Sequence, residues 1–451
     1  MARQIEQLAQ FVAKTQWEDI PQPVQQHAKM VLLDTLGVIL AGSVQPEVRQ
    51  LRERLAPTAG SGATVYARGW PTQDPRTAAL LNGIAGRAIE LCEGLRLVTG
   101  QAAMQTLPGI LATAEHEERS GREMITALVL GYDVAGRLGT AFTPRPLAHQ
   151  NGQVSLLAAA AAGARVRGMR ADEVSRAMRI ATTLLLTPSY TNAVAGATTL
   201  NVAGGMSGFV GALAPDLVLA GFEAQPDAIE EALAKLVGDG FNPESLVDDL
   251  GERWHIMQNY FRLYACCNPI HPALDSLQEV LSKLRPKPED IERIDVATYR
   301  FASVMRNPDP PNYFASKYSL PHAAAAMAVR GSAGYAALDE ASVRDPAIAA
   351  LRHRVHVTED PAMSAVAPRL RPARVTVTLK DGRQETHACE SHRGDFNRPF
   401  EESELREKFH ELAGEVLTKE GVTLTEQMVD RCDQWTSVRE LTALLRRHGR
   451  P

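Results

Sequence analysis

The densest run of chemically capable side chains is Tyr260-Phe261-Arg262-Leu263-Tyr264-Ala265-Cys266-Cys267-Asn268-Pro269-Ile270-His271-Pro272-Ala273-Leu274-Asp275. Arg262 offers a two-pronged donor suited to a carboxylate. His271 offers hydrogen-bond donation or proton transfer near neutral pH. Each proline pushes the residue before it out of the helical region, so regular helix is interrupted at Asn268 and His271. Pro272 suits the first position of a new helix over Ala273 to Leu284, which puts His271 at its N-terminus. The same residue types would serve equally as an interdomain ion pair and a turn histidine. Cys266 and Cys267 are adjacent, which does not match the usual spacing of zinc ligands.

Other candidates lie upstream and downstream. His149 precedes Gln150-Asn151-Gly152 and a long helix. A helix dipole there disfavours imidazolium, leaving a neutral imidazole able to take a proton alpha to a carboxylate. Glu90 and Glu93 are three apart on a helix expected over Pro75 to Leu91, hence on one face; they would orient a histidine or serve as an acid. Carboxylates beside Cys92 disfavour its thiolate. Lys317 adds one positive charge. Gly204-Gly205, opening a small-residue helix, can present backbone N–H groups to an anion, or simply allow close helix packing.

Composition narrows the function classes. The chain has 451 residues, 45% apolar and 22% charged, with net charge -5 and no basic tract. That argues against nucleic acid and anionic membrane as partners. Five cysteines do not make a disulfide framework, and Met1 to Glu6 lacks the apolar core of a signal peptide; both point to the cytoplasm. No apolar run approaches the roughly 18 residues of a membrane span, Pro215 and Asp216 interrupting one candidate. No GxGxxG, Walker loop, HExxH or CxxC is present, so neither a nucleotide nor a metal is expected as cofactor.

Positioning elements follow from periodicity. Helices are expected over 4–15, 22–41, from Ser120 (a capping box with Glu123), 153–167, 204–220, 227–237 and 252–261. After 270 the pattern changes. Ile294 and Val296, Val355 and Val357, and Val375, Val377 and Leu379 alternate as strands do. Asp381-Gly382 supplies a hairpin turn to a return strand over 384–389. Helix is expected again over 319–329, and after Pro399, where Leu405, Phe409, Leu412 and Val416 repeat at helical spacing.

An ordered set of segments resembles the 2-methylcitrate dehydratase and cis-aconitate decarboxylase family, often called MmgE/PrpD, which also holds an iminodisuccinate epimerase. The set comprises Leu33-Asp34-Thr35-Leu36-Gly37, Leu81 to Glu90, Leu130-Gly131-Tyr132-Asp133-Val134-Ala135, His149 to Gly168, the Tyr260 to Asp275 stretch, Asn307-Pro308 and Lys317-Tyr318-Ser319-Leu320-Pro321. The resemblance implies a mainly α protein: a large all-helical domain from both chain ends (1–265 and 397–451) with an inserted smaller α+β lid domain (266–396). It further implies a cofactor-free homodimer with its site between the two. Family site residues fall on His149, Arg262, His271 and Lys317. The family's acidic run becomes Glu90-Leu91-Cys92-Glu93, one family histidine becomes Gln101, and three cationic or imidazole positions become Leu200, Ala203 and Met206. Arg87 would stand in for a lost positive group.

The expectation is therefore a cofactor-independent lyase, dehydratase or decarboxylase in type, acting on a small carboxylate less charged than a tricarboxylate. His149 would remove a proton alpha to a carboxylate. Arg262, helped by His271 or Lys317, would neutralise developing charge, with Arg87 and Gln101 binding substrate and Glu90 or Glu93 assisting. An epimerase or isomerase on the same fold, or a non-catalytic relative, are the alternatives.

Overall fold

A computed structural model describes residues 2–56, 62–96 and 100–450. It is 59% helix and 11% strand, a mainly α fold. Its centre is the helix Leu200–Leu219, packed by Pro75–Arg87, Ala102–His116 and Val154–Val166. Glycines set the approach: a Cβ on Gly163 would lie 1.9 Å from the Gly211 carbonyl oxygen, and one on Gly109 2.7 Å from that of Gly208. Backbones this close leave no room for larger side chains, which is why this region reads as a run of small residues.

Gly204 and Gly205 lie inside this helix, which opens at Leu200 rather than at Gly204. Their N–H groups are therefore not a free N-terminal anion cradle. Gly204 instead leaves room for Arg87, whose Cγ would lie 2.4 Å from a Cβ there. The helix runs through Pro215 and Asp216, so it is long and apolar enough to cross a membrane, contrary to expectation; most of it is buried among its neighbours, as in a core helix.

The chain's far end packs against its beginning. Glu402–Ala413 lies on Gln22–Gly42, Phe409 fitting against Gly37. Lys408 Nζ donates to Asp34 Oδ1 at 2.6 Å and to the Leu91 carbonyl at 2.8 Å, all within the core.

A four-stranded sheet occupies the segment after 290, in the spatial order Gln384–Cys389, Ala373–Leu379, Ile291–Thr298, Val355–Glu359. The second strand is antiparallel to both of its neighbours, and the last strand is parallel to the third. The helix His271–Leu284 covers the hairpin strands. Gly382, at φ 86°, makes the expected turn between them. Short antiparallel pairs also precede residue 270: Ala63–Thr64, where the sequence reads as β-like over 63–67, pairs with Thr72–Gln73, and Gly94–Leu95 with Asn259–Tyr260. The helix expected over 252–261 is a single turn, His255–Gln258, followed by that strand, because Tyr260 must pair with Gly94, where a Cβ would lie 2.3 Å from the Tyr260 hydroxyl.

Candidate active site

A cavity of about 700 Å³ lies where the helices meet the sheet-bearing segment, a size suited to a small organic ligand. Arg87, Glu90, Gln101, His149 and Arg262 line it, with Tyr190, Tyr260, Tyr299, Tyr318, Cys267, Asn268 and Arg371. Leu147, Phe301 and Val304 at its edge are largely exposed, an apolar rim.

Its charged wall starts at the end of Pro75–Arg87, a helix capped by Asp74. The helix stops short of the expected Leu91, because Glu90 takes φ 52°, a left-handed conformation uncommon for a side chain of this size. That turn brings the Glu90 carboxylate back over Arg87. Oε1 accepts from Arg87 Nη2 and, at 2.8 Å, from the Tyr318 hydroxyl. Oε2 accepts from Arg262 Nη1 at 2.6 Å. Arg262 also donates to the Glu90 carbonyl and to the Tyr260 hydroxyl. Despite burial, the two guanidiniums and the phenol hold the Glu90 carboxyl well below the usual carboxylate range. Glu90 is thus a permanent counter-ion and has no proton to donate near neutral pH.

Glu93 does not share a face with Glu90, since the helix has ended. It turns inward, accepting the N–H groups of Ala103 and Met104 and the Tyr132 hydroxyl at 2.6 Å. Burial pushes its carboxyl up to about 7. It caps Ala102–His116 and does not line the cavity.

His149 sits where 147–149 runs beside 188–190: its N–H donates to the Pro188 carbonyl, and the Tyr190 N–H to that of Leu147. Its ring stacks on Tyr190 at 4.9 Å between centroids. Burial, more than any helix dipole, lowers its pKa to about 3, with Arg87 adding to the effect. Nδ1 accepts the Asn151 N–H at 3.2 Å, so the neutral ring carries its proton on Nε2. In that tautomer His149 is a hydrogen-bond donor, and proton abstraction by Nε2 would set an Nδ1–H against a backbone N–H.

The structure does not bring His271 and Lys317 to this cavity. His271 is the first residue of its helix, buried between Tyr264 and His392, with Nε2 against the Cys266 carbonyl at 3.0 Å. It holds the backbone of the paired cysteines. Lys317 Nζ donates to the carbonyls of Ala265 and Leu338 and borders a different cavity; burial lowers its pKa to about 8. Both thiols are pushed up by burial, Cys267 to about 12, so neither is a nucleophile. Leu200, Ala203 and Met206 do not line the cavity.

Several lining residues have no sequence signature. Tyr190 opens the five-residue helix Tyr190–Val194, Tyr299 lies in an irregular stretch, and Arg371 between Leu370 and Pro372 looks no different from Arg369. Asn268 stood inside the segment marked first, but as a helix breaker. Among the described residues no group of three or more His, Cys, Asp or Glu is gathered as metal ligands would be.

Residues 6–243 match the model of the MmgE/PrpD N-terminal domain, and residues 264–434 that of the MmgE/PrpD C-terminal domain. Full-length relatives are similar at low identity. The cis-aconitate decarboxylase-like protein oryM of Aspergillus oryzae is 25% identical, over 97% of this chain and 96% of its own length. A cis-aconitate decarboxylase of Aspergillus terreus is 24% identical, over 95% and 93%. The cis-aconitate decarboxylase of Homo sapiens is 23% identical, over 94% and 90%.

Proposed function

Because the chain belongs to the MmgE/PrpD family, we propose that the cavity is the active site of a cofactor-independent lyase of decarboxylase type. Its substrate is an unsaturated carboxylic acid with one or two carboxylates. The observation that carries this reading is the balance of donors and acceptors in the cavity. Arg87, Arg262 and Arg371 are all buried and face it, against one buried carboxylate, Glu90. Two buried positive charges are left to meet substrate, while Arg300, also on the lining, stays exposed to solvent. Three substrate carboxylates would exceed them, and burying unpaired charge is costly.

The second half of the balance concerns protons. Dehydration begins by removing a proton alpha to a carboxylate, which needs a free base. Among the described lining residues, Glu90 is fully engaged and His149 presents N–H. Decarboxylation needs no base at the start. The bond to the departing carboxylate breaks, and its electron pair stays on carbon, delocalised into the adjoining unsaturation. Carbon dioxide leaves, and a proton takes its place on carbon. Arg87 and Arg262 stabilise the developing negative charge. In a dicarboxylate, the neutral His149 Nε2–H hydrogen-bonds an oxygen of the retained carboxylate, onto which the unsaturation delocalises this charge. Burial raises the phenols of Tyr190 and Tyr299 above their ordinary range, so they stay protonated and can supply the proton. The sheet-bearing segment would act as a lid, its Tyr299 and Phe301 closing over the helical wall.

The test is to incubate the protein in D2O with unsaturated mono-, di- and tricarboxylic acids, following carbon dioxide release and product NMR. A dicarboxylate should yield carbon dioxide and a monocarboxylic acid carrying deuterium at the carbon that lost its carboxylate; a monocarboxylate should yield carbon dioxide and the correspondingly deuterated alkene. Water loss, or deuterium exchange without carbon dioxide, would overturn the reading.

A further inference from the structure

Arg87 and Arg262 share Glu90, but Arg371 faces the same cavity without such a partner. It is 5% exposed, and among the described residues no carboxylate lies within ion-pair distance of it. The Asp395 carboxylate lies within electrostatic reach of Arg371 but is paired with Arg96 at 2.7 Å, and a buried guanidinium with no ion pair of its own is costly to keep unless a charge comes to meet it.

The surroundings fix this side chain in place. His392 Nδ1 lies 2.6 Å from the Arg393 carbonyl, which can only accept, so Nδ1 carries the proton. His392 Nε2 then accepts from the Asn268 side-chain amide at 2.8 Å. That orients the Asn268 Oδ1 toward Arg371 Nη1, which donates to it. Nη2 donates to the Arg96 carbonyl at 3.3 Å. Every acceptor on Arg371 is neutral, and its Nε has no partner. The backbone is pinned as well: the Arg371 N–H donates to the Glu390 carbonyl, and the Pro372 carbonyl accepts from the Thr298 hydroxyl at 2.9 Å. The second contact puts Arg371 beside Tyr299, whose buried hydroxyl also lines the cavity without a hydrogen-bond partner. One positioned cation and one orphan hydroxyl thus lie close together on the wall of the cavity that the Glu90 cluster also lines.

We propose that Arg371, assisted by the Tyr299 hydroxyl, is the anchor for a substrate carboxylate, binding a planar organic carboxylate in preference to a tetrahedral oxyanion. The inference rests on the reading of the cavity as a carboxylate site, and assigns the residue on the sheet side that the ligand engages.

Calorimetric titration with crotonate, fumarate and inorganic phosphate tests it, on wild type, Arg371→Gln, Arg371→Lys and Tyr299→Phe. Removing a charge-assisted hydrogen bond of about 1.5–3 kcal/mol weakens binding roughly 10- to 150-fold. Arg371→Gln should lose crotonate and fumarate affinity by that factor, with Arg371→Lys intermediate. Tyr299→Phe removes a hydroxyl with no protein partner, so it should weaken carboxylate binding several-fold while its Tm does not fall; a merely structural tyrosine would not give that split. It also keeps the test decisive where an Arg371 variant fails to fold. If wild type binds the carboxylates and the variants bind equally well, the inference is overturned and the lyase reading stands. If phosphate binds as tightly as fumarate through Arg371, the carboxylate assignment is overturned. If wild type binds no carboxylate, both fall.

Discussion

Replacing Glu90 by glutamine would remove the negative charge on which two buried arginines converge. Arg87 and Arg262 each pair with this carboxylate while almost wholly out of water. Glutamine keeps the shape and one acceptor oxygen but leaves both guanidiniums uncompensated. Breaking a buried pair by deleting one partner costs about 3–5 kcal/mol, and here two partners are stranded, so the upper part of that range is expected. Urea denaturation at pH 7.5, followed by circular dichroism and tryptophan fluorescence, would measure it. Arg87→Met added to Glu90→Gln should recover part of the loss, because the pair is coupled. The same carboxyl predicts the acid limb. Its folded pKa is depressed, so its contribution is complete above the unfolded value of about 4.3 and is lost only as pH falls toward the lower folded value. A Glu90→Gln protein within about 0.5 kcal/mol of wild type, the range of an ordinary surface change, would refute the view of Glu90 as the counter-ion that holds this wall together.

Three further outcomes follow from the geometry. His149→Ala should lower kcat by about 100-fold or more, in the range seen when a positioned donor to an oxyanion is removed; because His149 is pushed to about 3, the wild-type rate should show no inflection near the usual histidine value of about 6.5. Glu93 behaves oppositely to Glu90: its folded carboxyl sits near 7, so its share of stability is full below about 4.3, falls as pH rises to about 7, and is level above. Glu93→Gln should flatten that slope in denaturation curves taken from pH 5 to 8, a change of about 3 kcal/mol by linkage. Gly204→Ala sets a methyl against the Arg87 stem, which should cost about 1–3 kcal/mol as overpacking and weaken carboxylate binding by displacing that guanidinium; unchanged thermal melting and affinity would count against the packing role.

Local grammar in the sequence carried well where it was self-contained. The Ser120–Glu123 capping box opens Gly121–Ala141 as expected, and the Asp381-Gly382 turn joins the two strands that alternation marked. Small-residue runs became the close-packed helical centre. Errors arose where a tertiary contact overrode the local pattern. The helix after Pro75 ends early because Glu90 turns to meet Arg262, a residue far away in sequence. His271 and Lys317 are expected at the site, but direction cannot be read from spacing, and both side chains meet backbone carbonyls instead. Arg371 and Tyr299 were missed because irregular segments have no period to break. Only folding shows that a guanidinium has no carboxylate beside it.

The cavity is assembled from stretches well separated in sequence, at 87–90, 101, 146–150, 190, 260–269, 299–304, 318 and 364–371, while Lys408 from beyond them clasps Asp34 and the Leu91 carbonyl. A partial chain ending before Arg371 therefore cannot hold a finished chamber. The wall carrying Arg87 and Glu90 is made early but lacks Arg262, and the clasp near Leu91 waits for nearly the last helices. Catalytic competence should arrive late and all at once, which spares the growing polypeptide a half-built pocket of stranded charges.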